Sequence, residues 1–196
     1  VNDFDPAVIA AMARWPDVPA VYGWLRLDRR GQWHLIDRGR PDFDPERDRL
    51  GSPITSPPIL DFIARNYGVT GDGAWFWQNG PQRVFVDLDL APRILRLLGE
   101  QERLQLVDHT GRLLGRVDSA GIDAGGSLWL SGPTGFGAVH DLDLAALQID
   151  ADKADQLWLQ WAGERLPVVP VTDPAARWGF RQRPRGIDRD EPRQTR

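Results

Sequence analysis

The 196-residue chain contains no cysteine. That absence excludes disulfide frameworks, thiol nucleophiles and Cys-ligated zinc or iron–sulfur centres, and a chain of this length can bury enough core to do without such staples. Lysine occurs once, at Lys153, against 23 arginines, a bias that reads as the mark of a GC-rich genome. No stretch approaches the ~20 apolar residues of a membrane span. Residues 1–14 also lack a basic segment followed by an unbroken apolar run, so a cytoplasmic protein with no membrane partner is expected. Catalytic signatures are missing too. There is no Gly-x-Ser-x-Gly elbow and no His-x-His or His-x-x-x-His zinc pattern. The Gly-rich run 132–137 lacks the Lys-Ser/Thr ending of a phosphate-binding loop and reads as a hairpin turn. No cofactor is expected.

The net charge of -4 is unevenly spread. Residues 177–196 carry seven arginines against Asp188, Asp190 and Glu191, so the tail is basic and the body acidic. An acidic body repels phosphate backbones, and a nucleic-acid partner is therefore not expected; only the tail, where Trp178 and Phe180 interleave with arginine, offers a place for one. Charged, proline-containing ends of this kind are ordinarily solvated and disordered.

Two helices have both ends marked: Asp5-Pro6 opens residues 7–14 with Pro16 as stop, and Ser56-Pro57 opens a core stripe of Ile59, Leu60, Phe62 and Ile63 with Gly68 as stop. A third is expected at Ile94–Leu98, after Asp89 to Pro92 and before Gly99. Elsewhere period-two stretches rich in tryptophan, phenylalanine and valine alternate with turns. The turns are Asp28 to Gly31, Asn79-Gly80, Asp108 to Gly111 and Asp123 to Gly126, which mark antiparallel hairpins. Between them, residues 37–56 form a polar loop long enough to be a place to look for a site. Trp158 and Trp161, three apart on a strand, fall on opposite faces.

Two features recur in order: the Asp-x-x-Gly turn at 28–31 and 108–111, and a Gly-Pro turn followed by Asp-Leu-Asp-Leu-Ala at 80–91 and 132–145. They suggest a weak duplication. The expected fold class is α+β, with antiparallel β-hairpins and sheets, about three helices and two related β-rich lobes. The divisions are an N-terminal helix at 1–19, an α+β lobe at 20–100, a β-rich lobe at 101–172 and a basic disordered tail at 173–196.

Three stretches carry a resemblance: Trp15-Pro16-Asp17-Val18-Pro19 leading to Tyr22-Gly23-Trp24-Leu25, residues 54–67 ending in Arg65-Asn66-Tyr67, and Trp75-Phe76-Trp77-Gln78-Asn79-Gly80-Pro81-Gln82-Arg83-Val84-Phe85-Val86. A weaker one is Val139-His140-Asp141-Leu142-Asp143-Leu144. Over residues 15–150 the chain resembles an uncharacterised, mainly proteobacterial family of unknown function, a resemblance that implies no activity and stops short of the tail.

The preferred site is the hairpin bearing Trp75, Trp77, Gln78, Asn79 and Arg83, where aromatic faces beside polar groups could stack a planar ligand or anchor a protein. A non-enzymatic module for a small ligand or protein partner is the first expectation. An alternative is a small metal-assisted hydrolase or transferase using Asp87, Asp89, His140, Asp141 and Asp143, since residues two apart on a strand present both carboxylates to one side. Capping of helix starts is the competing role for those aspartates. Self-association into a homo-oligomer through sheet edges is a third.

Overall fold

The structure, a computed structural model, describes residues 3–99 and 104–185. Helices α1 (Pro6–Arg14) and α2 (Pro57–Arg65) each begin on proline, whose missing N–H is no loss at that position. Neither Asp5 nor Ser56 caps with its side chain. Asp5 instead ties the helices together: its N–H donates to Asn66 Oδ1 at 2.9 Å and its carboxylate accepts from Arg65 at 3.1 Å.

Strands β1 (Val21–Leu27), β2 (Trp33–Leu35), β3 (Ser52–Pro53), β4 (Tyr67–Val69), β5 (Trp75–Asn79) and β6 (Gln82–Leu88) form a sheet of order β3-β2-β1-β6-β5-β4. A second sheet contains β7 (Ile94–Leu98), β8 (Gln105–Asp108), β9 (Ser119–Asp123), β10 (Leu128–Gly132), β11 (Gly135–Val139), β12 (Gln148–Ala151), β13 (Leu157–Trp161) and β14 (Glu164–Val171). Its order is β12-β13-β14-β9-β10-β11-β7-β8. The fold is α+β with two β-rich lobes. Inside each sheet the same five-strand arrangement occurs, β2-β1-β6-β5-β4 in one and β8-β7-β11-β10-β9 in the other, with the parallel pair in the corresponding place. The two Gly-Pro turns fall at corresponding hairpins, β5/β6 and β10/β11. The Asp-x-x-Gly turns do not correspond: that at Asp28 joins β1 to β2, whereas that at Asp108 follows β8.

Several expectations need correcting. Ile94–Leu98 is strand β7, not a helix: Ile94 and Leu95 are fully buried and pair in parallel with Ala138 and Val139. Five apolar-rich residues fit either period, and tertiary pairing chose. Nor is the pairing wholly antiparallel, because β1/β6, β7/β11 and β9/β14 run parallel. Hairpin turns advertise neighbours in sequence; parallel partners meet through crossovers that leave no local mark. The stretch after the Asp108 turn, Leu113 to Val117, reads in sequence as a further strand, but only Leu113 bridges to a strand, while Leu114 and Val117 enter the core from irregular chain. Strands β4, β9 and β12 carry too little alternation to be seen in advance.

One turn is built repeatedly. At Asp28, Asp108, Asp123 and Asp152, a carboxylate oxygen accepts the backbone N–H groups two and four residues on, at 2.8–3.1 Å. The fourth residue of each turn has positive φ: Gly31 (78°), Gly111 (84°), Gly126 (77°) and Asp155 (60°). Glycine takes that conformation without steric cost. In three of the four the second carboxylate oxygen reaches six residues ahead, to His34 at 2.9 Å, Trp129 at 2.9 Å and Trp158 at 3.0 Å, and so fixes a ring on the next strand, whereas the second oxygen of Asp108 takes Arg93 instead. Trp158 thereby lies under Arg165 while Trp161 packs against the core of the second sheet, the opposite-face arrangement expected.

The two sheets share a core. Leu25, Leu27, Val84, Val86 and Leu88 of the first sheet form one buried cluster with Ile94, Trp129 and Ala138 of the second. A further cluster fills the second sheet itself. Residues 173–185, expected to belong to a disordered tail, are ordered. Asp173 caps helix α3 (Pro174–Trp178) by accepting from Ala176 N–H at 3.0 Å. Phe180 is 5% exposed, and Trp178 and Phe180 both stack on Trp129 and Phe136. Proline and arginine dominate the composition here, but two aromatic rings supply the apolar area that ordering needs. Residues 186–196 lie outside the described residues.

Candidate functional site: an arginine-lined cleft

The β5/β6 hairpin divides its proposed site residues between two faces. Trp75 and Trp77 turn toward the shared core, where Trp77 meets Phe62 of α2 at 5.8 Å and Trp75 meets Tyr67 at 4.9 Å. Gln78 points the other way and is 1% exposed; Arg83, its cross-strand partner, lies over Phe76 at 4.1 Å. Asn79 is exposed at the turn. Trp77 Nε1, Gln78 Oε1 and Arg83 Nε are buried without hydrogen-bond partners.

Asp87 and Asp89 share one cleft, Asp89 and Asp141 border another, and each of the four aspartates is paired with arginine. Asp87 meets Arg185 at 3.1 Å, Asp89 meets Arg26 and Arg183, Asp141 meets Arg30 at 2.7 Å, and Asp143 meets Arg96 at 2.7 Å. The hydrogen bond from Arg30 holds the Asp141 carboxyl below its usual range; at Asp143 burial pushes upward, but the Arg96 guanidinium and the Leu97 N–H, with a smaller contribution from His140, together outweigh it. His140 is buried, and its Nδ1 accepts from Leu142 N–H at 3.1 Å, capping the 3-10 helix Asp141–Ala146. The same N–H also reaches Asp141 Oδ1 at 3.0 Å, so histidine and aspartate share the cap. Among the described residues no group of three or more His, Asp or Glu side chains could hold a metal ion.

What the sequence did not assemble is a cleft of about 470 Å³ between the 37–56 loop and residues 183–185. Its floor is β1 and β6. Their register shifts between Val21 and Leu25, and within that bulge Gly23 has φ 72°. A Cβ there would sit 2.7 Å from Arg38 Nη1, so the missing side chain makes room for the guanidinium, which lies over Phe43 at 5.4 Å. Arg26, 7% exposed, donates to Leu50 O from Nε and Nη2 at 3.0 and 2.8 Å and pins the loop to the floor. The loop braces itself as well: Asp44 accepts from Glu46 and Arg47 N–H, both at 2.9 Å, and Asp48 binds Arg40 and Arg47. The Arg47 hydrogen bond holds the Asp48 carboxyl far below its usual range. On the opposite wall Arg183 donates to Leu88 O at 2.8 Å and Arg185 to Asp87. Five arginines face Glu46, Asp87 and Asp89. Arg38 and Arg49, both exposed, have no carboxylate within ion-pair distance among the described residues. The arginine bias attributed to base composition is, in this cleft, a concentration of positive charge. A larger groove, of about 1090 Å³ along β12 and β13, has no arginine in its lining.

A model of the family Protein of unknown function (DUF2946) matches residues 4–185. The chain belongs to this family. The match runs to Arg185, so in this DUF2946 protein the family likeness includes both walls of the cleft and extends past residue 150, where the resemblance read from sequence ends, into the tail that lies outside it. Among solved structures it is similar to a DUF1285 family protein from Silicibacter pomeroyi DSS-3, with 15% identity, a TM-score of 0.49 and coverage of 85% of this chain and 88% of that one. It is also similar to a DUF1285 family protein from Shewanella baltica OS155, with 16% identity, a TM-score of 0.42 and coverage of 63% and 89%. No curated protein matches the chain. No helix among the described residues is long and apolar enough to cross a membrane.

Near the boundary of the lobes, His109 touches Trp33 at 5.3 Å and Tyr67 at 5.8 Å, and its Nε2 is buried without a partner. Burial pushes its pKa down to about 4; Asp108 opposes and Arg93 adds to the fall. The unfolded chain protonates this imidazole below about pH 6.5 while the folded one resists until about 4. Stability is therefore full above 6.5 and falls as pH drops through that window, by on the order of 3 kcal/mol at the bottom. Urea unfolding of wild type and His109→Gln between pH 7 and 4 checks this, and parallel pH profiles would refute it.

Proposed function

We propose that the protein is a non-enzymatic binding module that takes a small organic anion in the arginine-lined cleft. The observation that carries this reading is the pair Arg38 and Arg49, left without carboxylate partners at the mouth of a concave site, in a chain whose overall charge is -4. A planar guanidinium offers two parallel N–H donors to a carboxylate or phosphate. The cavity volume also falls in the range of small-molecule sites, roughly 300–1,000 Å³. Anchored Arg26, Arg183 and Arg185 contribute field without having to be reorganised on binding.

Thermal denaturation of the full chain with inorganic phosphate and with citrate, at constant ionic strength, tests the reading. At a ligand concentration about 100 times Kd the stabilisation is about 2.7 kcal/mol, which for a chain of this size raises Tm by roughly 5–10 °C. The Arg38→Gln/Arg49→Gln variant, altered only at exposed positions, keeps the ligand-free Tm and loses the rise. An equal rise in that variant would place binding elsewhere and end the proposal.

A further inference from the structure

Resting on the cleft reading just given, we infer that the ligand is a dianion with a short apolar body, a phosphate monoester or a dicarboxylate. The charge balance sets the valence. Arg26, Arg183 and Arg185 are committed: Asp89 lies between Arg26 and Arg183, and Asp87 holds Arg185. Their backbone bonds, to Leu50, Leu88 and Pro184 oxygens, fix where they point. This trio with its two carboxylates leaves one positive charge, which exposed Glu46 on the loop cancels. What remains is Arg38 and Arg49, two forks with one positive charge each. A monoanion leaves one fork unanswered; a trianion brings a charge with nothing to meet it. One negative charge per fork closes the balance.

The surface beside the first fork sets the body. Arg38 is seated over the Phe43 ring, with buried Ile36 and the Tyr22 ring on the same cleft. Tyr22 is itself held by stacking on Phe85, centroids 4.6 Å apart and planes 5° from parallel. An anion without carbon would leave that surface wet, whereas a short or planar apolar group covers it.

Isothermal titration calorimetry of the full chain with benzoate, phthalate and phenyl phosphate, at constant ionic strength and pH 8, tests the inference. Both dianions are expected to bind at least tenfold more tightly than benzoate, and the tighter of the two identifies carboxylate or phosphate as the preferred group. Phenyl phosphate should lose most of its advantage at pH 5, where its second ionisation, near 6, is reversed while the arginines stay charged. Arg38→Gln alone should bring dianion and monoanion close to parity. If benzoate equals phthalate in the wild type, and Arg38→Gln/Arg49→Gln weakens both, the dianion inference falls and the cleft reading stands. Should none of the three bind, or the double variant bind all unchanged, both fall.

Discussion

Asp108→Ala is expected to lower the free energy of unfolding by about 3–5 kcal/mol, measured by urea denaturation at pH 7. Asp108 is 4% exposed, and one carboxylate oxygen accepts from Thr110 N–H at 2.9 Å, Thr110 Oγ1 at 2.6 Å and Arg112 N–H at 3.1 Å. The other takes Arg93 Nε at 2.5 Å. Burial pushes this carboxyl toward protonation, but the Arg93 charge and the Thr110 hydroxyl outweigh it and hold its pKa below the ordinary value. Truncation therefore does more than delete a turn. It leaves Arg93, 7% exposed and otherwise bonded to Thr134 O at 3.0 Å, as a buried charge with no counter-ion. Asp108→Asn keeps one acceptor oxygen for the turn but also removes the counter-ion of Arg93, so the difference between asparagine and alanine isolates the share that belongs to the turn. A loss below 1 kcal/mol for alanine would mean that water reaches Arg93 and the pair is not effectively buried.

Phe180→Ala should cost about 3–5 kcal/mol, the range for deleting a buried phenylalanine ring. Its ring lies 5.9 Å from Trp129 and 5.7 Å from Phe136, with Trp178 stacked alongside. Beyond it the chain bridges to the first sheet: Arg181 N–H donates to Gly73 O at 2.9 Å. Arg183 and Arg185 follow directly into the cleft wall. The same substitution should accordingly weaken anion binding, although Phe180 is not among the residues lining the cleft. Thermal denaturation paired with the phosphate titration reads both effects. A Tm change under 2 °C would show that residues 173–185 merely rest on the surface.

Much of the fold is legible locally because its devices are local. Proline after Asp5 and Ser56 starts both longer helices, and Asp-x-x-Gly closes hairpins because the carboxylate, the intervening N–H groups and the left-handed residue lie within five positions. Strand β7 was illegible for the opposite reason. Its five residues suit a helix as well as a strand, and only β11, some forty positions away, makes them extended. The ordered strap was hidden by averaging, since a composition rich in arginine and proline conceals Trp178 and Phe180, which meet rings from β10 and β11.

The candidate site divides in the same way. Sequence marked the long polar loop as a place to look and flagged the tail arginines, but as separate features. The hairpin tryptophans, conspicuous in sequence, mostly pack inward.

By itself the sequence determined the absence of thiol chemistry, the α+β class, the hairpin positions and the uneven charge, all of which follow from composition and from contacts spanning a few residues. Only the tertiary structure decided which strands run parallel, that residues 173–185 are ordered, and that Arg26, Arg38, Arg49 and Arg183 line one cleft. The physical reason is distance along the chain. Charges separated by more than a hundred residues interact only after packing has closed the intervening loops, and packing is driven by apolar burial, which is indifferent to where the arginines fall.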